Sequence, residues 1–229
     1  MKTKILYLLL IIPWLSAAQT KHFGASVGLN FAKFNGGDDF AKSLAMSMNY
    51  NEGFSGFHFD SKSRTGFAIG IFYNYPLKKS LSIQPEISYS QKGAKFKGDG
   101  YFEYYGDSYA VKVENIMRLN YLDITLMAKY HLSEGETRPY LSGGLGVGNI
   151  LSSEMEVTTT VEGESSNETQ SMDDWIKTTD VHFDIEGGLD FSSKVTLNLR
   201  YSLGLSNITK EDQEDLKNGV ISLCMGLHF

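Results

Sequence analysis

Residues 220–229 read VISLCMGLHF, and large apolar side chains alternate with small or polar ones along this segment. A repeat of two residues is the pattern of a β-strand with two unlike faces. The segment ends on the aromatic Phe229, whereas the end of a soluble domain usually frays into polar residues. A closed barrel in lipid accounts for both features, because its last strand pairs with its first and its outer face meets hydrocarbon.

Residues 1–18 have the composition of a secretory signal peptide. Lys2 and Lys4 give a basic start, residues 5–15 are mostly apolar, and Ser16-Ala17-Ala18 supply small residues at the end. We expect cleavage after Ala18, which leaves residues 19–229 as one barrel domain. A membrane-anchor helix is the weaker alternative, because the apolar run is shorter than the roughly 20 residues that a helical span requires.

Composition excludes several classes of protein. The chain has 229 residues, enough for one large β domain, and nothing in it resembles a linker between two cores. Cys224 is the only cysteine, so an intrachain disulfide is impossible. The net charge of −6 argues against a nucleic-acid partner. No motif indicates a cofactor, and no apolar run beyond the signal is long enough for a helical span, which leaves a β-barrel open.

Eight segments, the last one included, show this alternation. They cover residues 22–34, 64–75, 81–90, 116–132, 138–151, 181–191, 195–205 and 220–229. The connections alternate between long loops (35–63, 91–114, 152–178 and 206–218) and short turns (76–79, 133–137 and 192–194). Outer-membrane barrels have long extracellular loops and short periplasmic turns. The sequence therefore predicts an all-β, eight-stranded antiparallel transmembrane β-barrel in the bacterial outer membrane, with both termini in the periplasm.

A secreted soluble barrel or sandwich is the main alternative fold, because its strands also alternate. The polar faces here are rich in Gly, Ser and Ala instead of the charged residues and threonines of a solvated face. Small residues are what the narrow interior of an eight-stranded barrel can hold, so the pattern favours the membrane barrel. Pro85 lies inside a predicted strand and lacks an N–H, which predicts a bulge there.

Several segments resemble the PorT-like outer-membrane β-barrel family of Bacteroidetes-type bacteria. The matching pieces are Gly28-Leu29-Asn30, IQPEISYSQKG at 83–93, Tyr121-Leu122-Asp123-Ile124, Lys129-Tyr130, Arg138-Pro139-Tyr140 and Leu199-Arg200-Tyr201 followed by Gly204-Leu205. Thr125 departs from the pattern, since such proteins often carry proline there. The resemblance implies an integral outer-membrane barrel and, in some members, a link to protein secretion. It does not imply an enzyme.

The interior is expected to carry a structural polar network. Glu186 and Arg200 are each seven residues from Ser193 at the centre of a short turn, so a symmetric hairpin places them opposite each other on the inward face. Glu86 lies at a similar height on the strand across the barrel, within reach of Arg200. Asp184 and Asp123 share the inward face and complete the predicted network.

Two other groups of residues are candidate sites, and each has a structural alternative. His182, with Asp180 and Asp184 nearby, suggests an acid–base site of a lipid-directed enzyme, but an inward histidine is more often a hydrogen-bonded structural group. The acidic segment 152–178 offers oxygen ligands for a divalent cation, but without the spacing of a known calcium loop. A solvated acidic loop is the favoured reading.

The sequence thus favours a structural or interaction protein that acts through its extracellular loops and is accessory to protein secretion. A lipid-directed enzyme and a narrow small-solute conduit are the alternatives. The expected partners are outer-membrane lipid and lipopolysaccharide, the barrel-assembly machinery and a protein bound at the extracellular loops. Phe229 is expected to contribute to membrane assembly.

Overall fold

The computed structural model describes residues 22–191, 194–210 and 215–229. Its elements in chain order are β1 (Phe23–Asn35), α1 (Gly37–Tyr50), β2 (Phe54–Tyr73), β3 (Tyr75–Pro76), β4 (Leu81–Tyr104), β5 (Asp107–His131), β6 (Thr137–Val161), β7 (Glu164–Ser171), β8 (Thr179–Phe191), β9 (Val195–Gly204) and β10 (Lys217–His228). The predicted signal peptide at residues 1–18 lies outside the described residues.

Within the described residues, eight strands form a closed antiparallel ring. The order is β2-β1-β10-β9-β8-β6-β5-β4, and β4 returns to pair with β2. The two-residue β3 continues the line of β2 beside β4, and β7 pairs with β6 alone. The first and last strands join from Gly24 opposite His228 to Asn35 opposite Lys217. The predicted eight-stranded antiparallel barrel is confirmed.

The strands at one end of the barrel are much longer than predicted. Residues 91–114 were predicted to be a loop, but β4 and β5 continue through them as a paired hairpin. Most of the predicted loop 152–178 is likewise the upper part of β6 together with β7. The predicted loop 35–63 holds α1 and the start of β2. We call the end of the barrel that carries these extended strands and α1 the long-loop end, and the opposite end the short-turn end.

The polarity of the two faces reverses part-way along the longest strands, which explains these wrong predictions. Near the short-turn end of β5, Ile124 and Leu126 point outward and Asp123 and Thr125 point inward. Near the long-loop end, apolar residues such as Val113 point inward and charged residues point outward. The first arrangement suits a lipid-facing wall and the second suits a sheet in water. The outer apolar band therefore ends where β5 passes from Asn120 to Leu122.

An apolar cluster fills the interior at the long-loop end. Phe40 of α1 packs edge-on against Phe96 of β4, with ring centroids 4.9 Å apart. Residues from the strands, from α1 and from the connecting residues 172–178, 205–210 and 215–216 complete the cluster. These are Phe34, Ala41, Phe57, Phe59, Ala94, Val111, Val113, Met117, Leu119, Tyr121, Met172, Ile176, Ile208 and Leu216. The barrel mouth at this end is thus closed by packing.

The helix α1 begins after Gly36, whose φ of 85° lies in the left-handed region that favours glycine. Its Phe40 and Ala41 are buried, while Met46 and Tyr50 are exposed. In the described part of the chain, no helix combines the length and the apolar composition needed to cross a membrane.

The predicted bulge at Pro85 is wrong. Strand β4 keeps one register with its neighbours on both sides of the proline, with Phe72 opposite Glu86 and Tyr75 opposite Ile83. Between these two pairs Gln84 and Pro85 pair only with β5, so the ladder on the β2 and β3 side skips two positions without an extra residue. A gap of this kind accommodates the missing N–H of proline, because no donor is required there.

Candidate functional site

Arg200 on β9 lies at the centre of the barrel interior. The strand register places it directly opposite Glu186 on β8. Its Nε donates to Glu186 Oε2 at 2.8 Å, and its two terminal nitrogens donate to the two carboxylate oxygens of Glu86 at 3.1 and 2.8 Å. Paired N–H donors on one carboxylate form the strongest type of protein ion pair. The guanidinium group therefore ties β4 to β8 and β9 across the lumen.

Neighbouring side chains hold Glu186 in position. The hydroxyl of Tyr140 donates to Glu186 Oε1 at 2.7 Å, and the hydroxyl of Ser142 lies 3.4 Å from the same oxygen. Glu186 is 2% exposed and Glu86 is 6% exposed, so water shields this charge cluster little. The charges depend on each other for stabilisation, because a buried unpaired charge is costly.

Asp184 and His182 line the interior next to this group. Asp184 Oδ2 lies 3.7 Å from Arg200 and 3.9 Å from His182 Nε2. His182 also lies 3.3 Å from the hydroxyl of Thr125 and is 3% exposed. The predicted neighbour Asp180 is bound separately, by Ser206 and Asn218. The side chains of the proposed acid–base trio are therefore all buried in the barrel wall.

Asp123 pairs with Lys92, a residue outside the predicted network. It accepts a bond from Lys92 Nζ at 2.9 Å, and both side chains are buried. The same ammonium group lies 4.2 Å from the ring centroid of Tyr121. Lys92 was missed because it falls in the predicted loop 91–114. Lys92 is an even number of residues from Glu86 along β4, so alternation places both side chains on the inward face.

A second buried charge cluster, which the sequence analysis also missed, lies toward the short-turn end. Asp190 accepts bonds from Lys129 Nζ at 2.9 Å and from the hydroxyl of Thr196 at 2.7 Å, and it lies 2.7 Å from His131 Nε2. Lys129 Nζ also lies 3.7 Å from the ring centroid of Tyr140, which links this cluster to Glu186. Asp190 is four residues from Glu186 on β8, so alternation along the strand is enough to predict that its side chain points inward.

In the described part of the chain, two small cavities border the Arg200 group. One of about 30 Å³ lies on the side of Lys92 and His182, and one of about 20 Å³ lies on the side of Lys129 and Tyr140. Each is large enough for about one water molecule. Arg200 lines both cavities and separates them. Among the residues that line these cavities, the buried atoms His182 Nδ1, Asp184 Oδ1 and Asn198 Oδ1 have no hydrogen-bond partner within the described protein.

The acidic segment forms part of a sheet. Glu154 and Glu156 lie on β6, and Glu164 and Glu168 lie on β7. Glu156 is paired with Arg118 of β5. Among the residues that the structure describes, no group of three or more His, Cys, Asp and Glu side chains is arranged to hold a metal ion.

Residues 17–210 match the family model described as the outer membrane protein beta-barrel domain. The chain belongs to this family. Membership places this outer-membrane barrel in the bacterial outer membrane, and the apolar band is its lipid-facing surface.

Three solved structures are similar to this outer-membrane barrel. Neisserial surface protein A is 15% identical, with a TM-score of 0.40, and the match covers 90% of this chain and 97% of that one. The attachment invasion locus protein Ail of Yersinia pestis is 15% identical, with a TM-score of 0.39 and coverage of 92% and 100%. The outer membrane protein OprG from Pseudomonas aeruginosa is 11% identical, with a TM-score of 0.38 and coverage of 91% and 96%. Comparison with curated proteins gave no match.

Proposed function

We propose that this chain is a closed, non-conducting outer-membrane barrel that acts as an interaction protein through its long-loop end. The proposal rests on one observation: side chains fill the barrel interior, whereas the strands at the long-loop end extend well beyond the apolar band. Arg200 and its carboxylates occupy the lumen, and the apolar cluster fills the mouth above them. A filled interior argues for a role on the outside of the barrel.

The long-loop end supplies a large surface for such a role. On β5 the part beyond the apolar band runs from Asp107 to Tyr121, roughly 45 Å along the strand at about 3.3 Å per residue. Strands β4, β6 and β7 extend beside it. All residues of β7 are exposed, and β7 pairs with β6 alone. We propose that a protein partner, in the setting of protein secretion, binds this sheet.

In the proposed orientation the long-loop end faces the cell exterior and both termini lie in the periplasm. The proposed partners during insertion are the barrel-assembly machinery and the outer-membrane lipid. Phe229 has a place in this step, because its N–H donates to the carbonyl of Phe23 at 2.8 Å, where the first and last strands meet. The rings of these two residues lie 6.2 Å apart.

The orientation is tested with single cysteines in a Cys224→Ser background. We expect cysteines at Ser165 and Lys210 to react with a membrane-impermeant maleimide on intact cells, and a cysteine at Lys79 to stay unlabelled. Ser165 lies on β7, whereas Lys79 lies in the short turn before β4. Labelling at Lys79 together with silence at Ser165 would show that the orientation is inverted.

A photoreactive crosslinker attached at position 165 then tests for the partner in native membranes. We expect a discrete protein adduct from position 165 and none from position 79, which serves as the matched control. Equal capture from both positions, or none from position 165, would contradict the proposed interaction.

The filled interior leads to a separate prediction about ion conductance. In planar bilayers the wild-type barrel is expected to show no steady single-channel conductance, because the Arg200 group leaves only water-sized cavities. A stable open channel in the wild type would favour the small-solute conduit. The control is a large conducting porin reconstituted in the same bilayers.

A further inference from the structure

The strands that extend beyond the apolar band form a five-stranded sheet with two edges. Its order is β2-β4-β5-β6-β7. Among the described residues, β2 pairs with β4 alone at 54–63, and β7 pairs with β6 alone. An edge strand presents a row of N–H and C=O groups that is a template for pairing with another chain. The two edges of this sheet differ in how far they are covered.

The β2 edge is covered by helix α1. The side-chain amide of Asn49 on α1 accepts a bond from the Phe57 N–H at 2.8 Å and donates to the Phe57 carbonyl at 3.0 Å. The ladder between β2 and β4 also shifts its register between Ser55 and His58, and irregularities of this kind make an edge a poor template. The helix therefore occupies backbone groups with which a further strand would pair.

The β7 edge is regular and open. Strand β7 keeps one unbroken register with β6, from Ser171 opposite Glu154 to Glu164 opposite Val161. All of its residues are exposed. It contains neither proline nor lysine, two residues with which proteins commonly protect an edge strand. This strand is therefore a suitable template for strand addition.

The direction of the β7 backbone groups follows from a hydrogen bond at the end of the strand. The N–H of Met172 donates to the carbonyl of Ser153 on β6 at 2.9 Å. In an antiparallel pair, alternate residues direct their N–H and C=O groups to opposite sides. Ser165, Asn167 and Thr169 therefore direct theirs away from β6, and no backbone hydrogen bond reaches them from the described residues.

The β7 edge is also acidic. Glu164 and Glu168 lie four residues apart, so they share one face of the strand. The residues opposite them on β6, Val161 and Val157, are apolar and supply no counter-charge. Glu162 in the turn before β7 adds a third exposed carboxylate. Opposite charges across two strands stabilise a sheet and like charges destabilise it, so a cationic strand fits this edge better than a second copy of β7.

We propose that the partner protein adds an extended segment to the free edge of β7 as a further strand, and that lysine or arginine occupies alternate positions of this segment. The inference rests on the proposed function, because it states how the partner binds the long-loop end. In strand addition the main-chain hydrogen bonds supply affinity and the alternate side chains supply specificity. Here the carboxylates of Glu164 and Glu168 select the cationic segment.

The test measures peptide binding to the full-length barrel in nonionic detergent micelles by fluorescence anisotropy. The probe is a labelled eight-residue peptide in which lysine alternates with threonine. In one matched peptide glutamate replaces lysine, and in another every backbone nitrogen is methylated. We expect the lysine peptide to bind about tenfold more tightly than either matched peptide, because one lacks the opposite charges and the other lacks the N–H donors.

Asn167→Pro tests the backbone of the edge. Because the N–H of Asn167 points away from β6, a proline removes an outward donor and leaves the ladder with β6 in place. We expect this variant to bind the lysine peptide about tenfold more weakly than the wild type. Asn167→Ala, which keeps the N–H, is the matched control and should bind as the wild type does. A heat-dependent shift in gel mobility verifies that each variant is folded.

Glu164→Gln with Glu168→Gln tests the charge of the edge. Two lost cross-strand charge pairs imply about fivefold weaker binding of the lysine peptide. The control is Glu134→Gln with Glu136→Gln, which removes two exposed carboxylates from the turn before β6 at the short-turn end. This control should bind the peptide as the wild type does.

Three outcomes overturn the proposal. They are equal binding of the glutamate peptide, undiminished binding of the lysine peptide to Asn167→Pro, and wild-type dimers in analytical ultracentrifugation that Asn167→Pro abolishes. The dimers would identify a second copy of the chain as the occupant.

Failure of this inference is distinguishable from failure of the proposed function. The peptide assay uses the purified barrel and does not depend on its orientation or on the native partner. A crosslinked adduct from position 165 that persists in Asn167→Pro would contradict strand addition but leave the proposed function in place.

Discussion

Replacing Arg200 with alanine is expected to lower the free energy of unfolding of the barrel by about 3–5 kcal/mol, the usual cost of removing one member of a buried ion pair. The substitution leaves Glu86, Glu186 and Asp184 close together without their shared cation. Their repulsion is strong because the surrounding interior holds only water-sized cavities. The measurement is the loss of the folded gel band with increasing urea, in lipid vesicles.

Arg138→Ala is the matched control for Arg200→Ala. Arg138 also faces a carboxylate, with its Nη2 3.8 Å from Asp190, but its side chain is 31% exposed. We expect a loss below about 1 kcal/mol, as for other partly exposed ion pairs. Adding Glu86→Gln and Glu186→Gln to Arg200→Ala should recover part of the stability. Equal losses for the two arginines would contradict the proposed role of Arg200.

The strands within the apolar band could be predicted from the sequence, because outward apolar residues alternate with inward polar or small residues throughout the band. Ile124 and Leu126 point outward and Asp123 and Thr125 point inward, so alternation identifies the strand and its faces. The same rule fails beyond the band. There Phe96 points inward and Lys95 and Lys97 point outward, so a search for apolar residues on the outer face does not identify the strand.

The turns at the long-loop end carry a weak sequence signal. Tyr105-Gly106 joins β4 to β5, and Glu162-Gly163 joins β6 to β7, each as a two-residue turn. All four residues have positive φ, which favours Asn-Gly or Asp-Gly in such turns. Tyrosine and glutamate are less common in that position, so both hairpins were interpreted as loops.

The interior contacts are of two kinds: those within a single hairpin and those between strands that are not adjacent. The pairing of Glu186 with Arg200 follows from the length of a single hairpin, which can be counted from the sequence. The partner of Lys129 cannot be identified by counting residues from a turn. Asp190 is two strands away, and its position along the barrel axis relative to Lys129 depends on the stagger of the whole barrel. Alternation therefore shows which residues point inward, but only the registers show which of them meet.

The second large effect is expected at Asp190. Asp190→Ala removes the carboxylate that binds Lys129 and lies beside His131, and it leaves the Lys129 ammonium, with a side chain 2% exposed, without that counter-charge. We expect a loss of about 3–5 kcal/mol in the free energy of unfolding, again the cost of an uncompensated buried charge. Urea unfolding in lipid vesicles provides the measurement.

The double variant Asp190→Ala with Lys129→Met separates charge from packing in this cluster. A methionine keeps the apolar contact with the ring of Tyr140 but carries no charge, so we expect it to recover a large part of the lost stability. Asp60→Ala is the surface control, since Asp60 pairs with Lys62 at 3.0 Å while both side chains are about half exposed. Its unfolding midpoint should equal that of the wild type. If Asp190→Ala also left the midpoint unchanged, the Lys129–Asp190 pair would not be the charge cluster that stabilises the short-turn end, and the interior there would have to admit water to both groups.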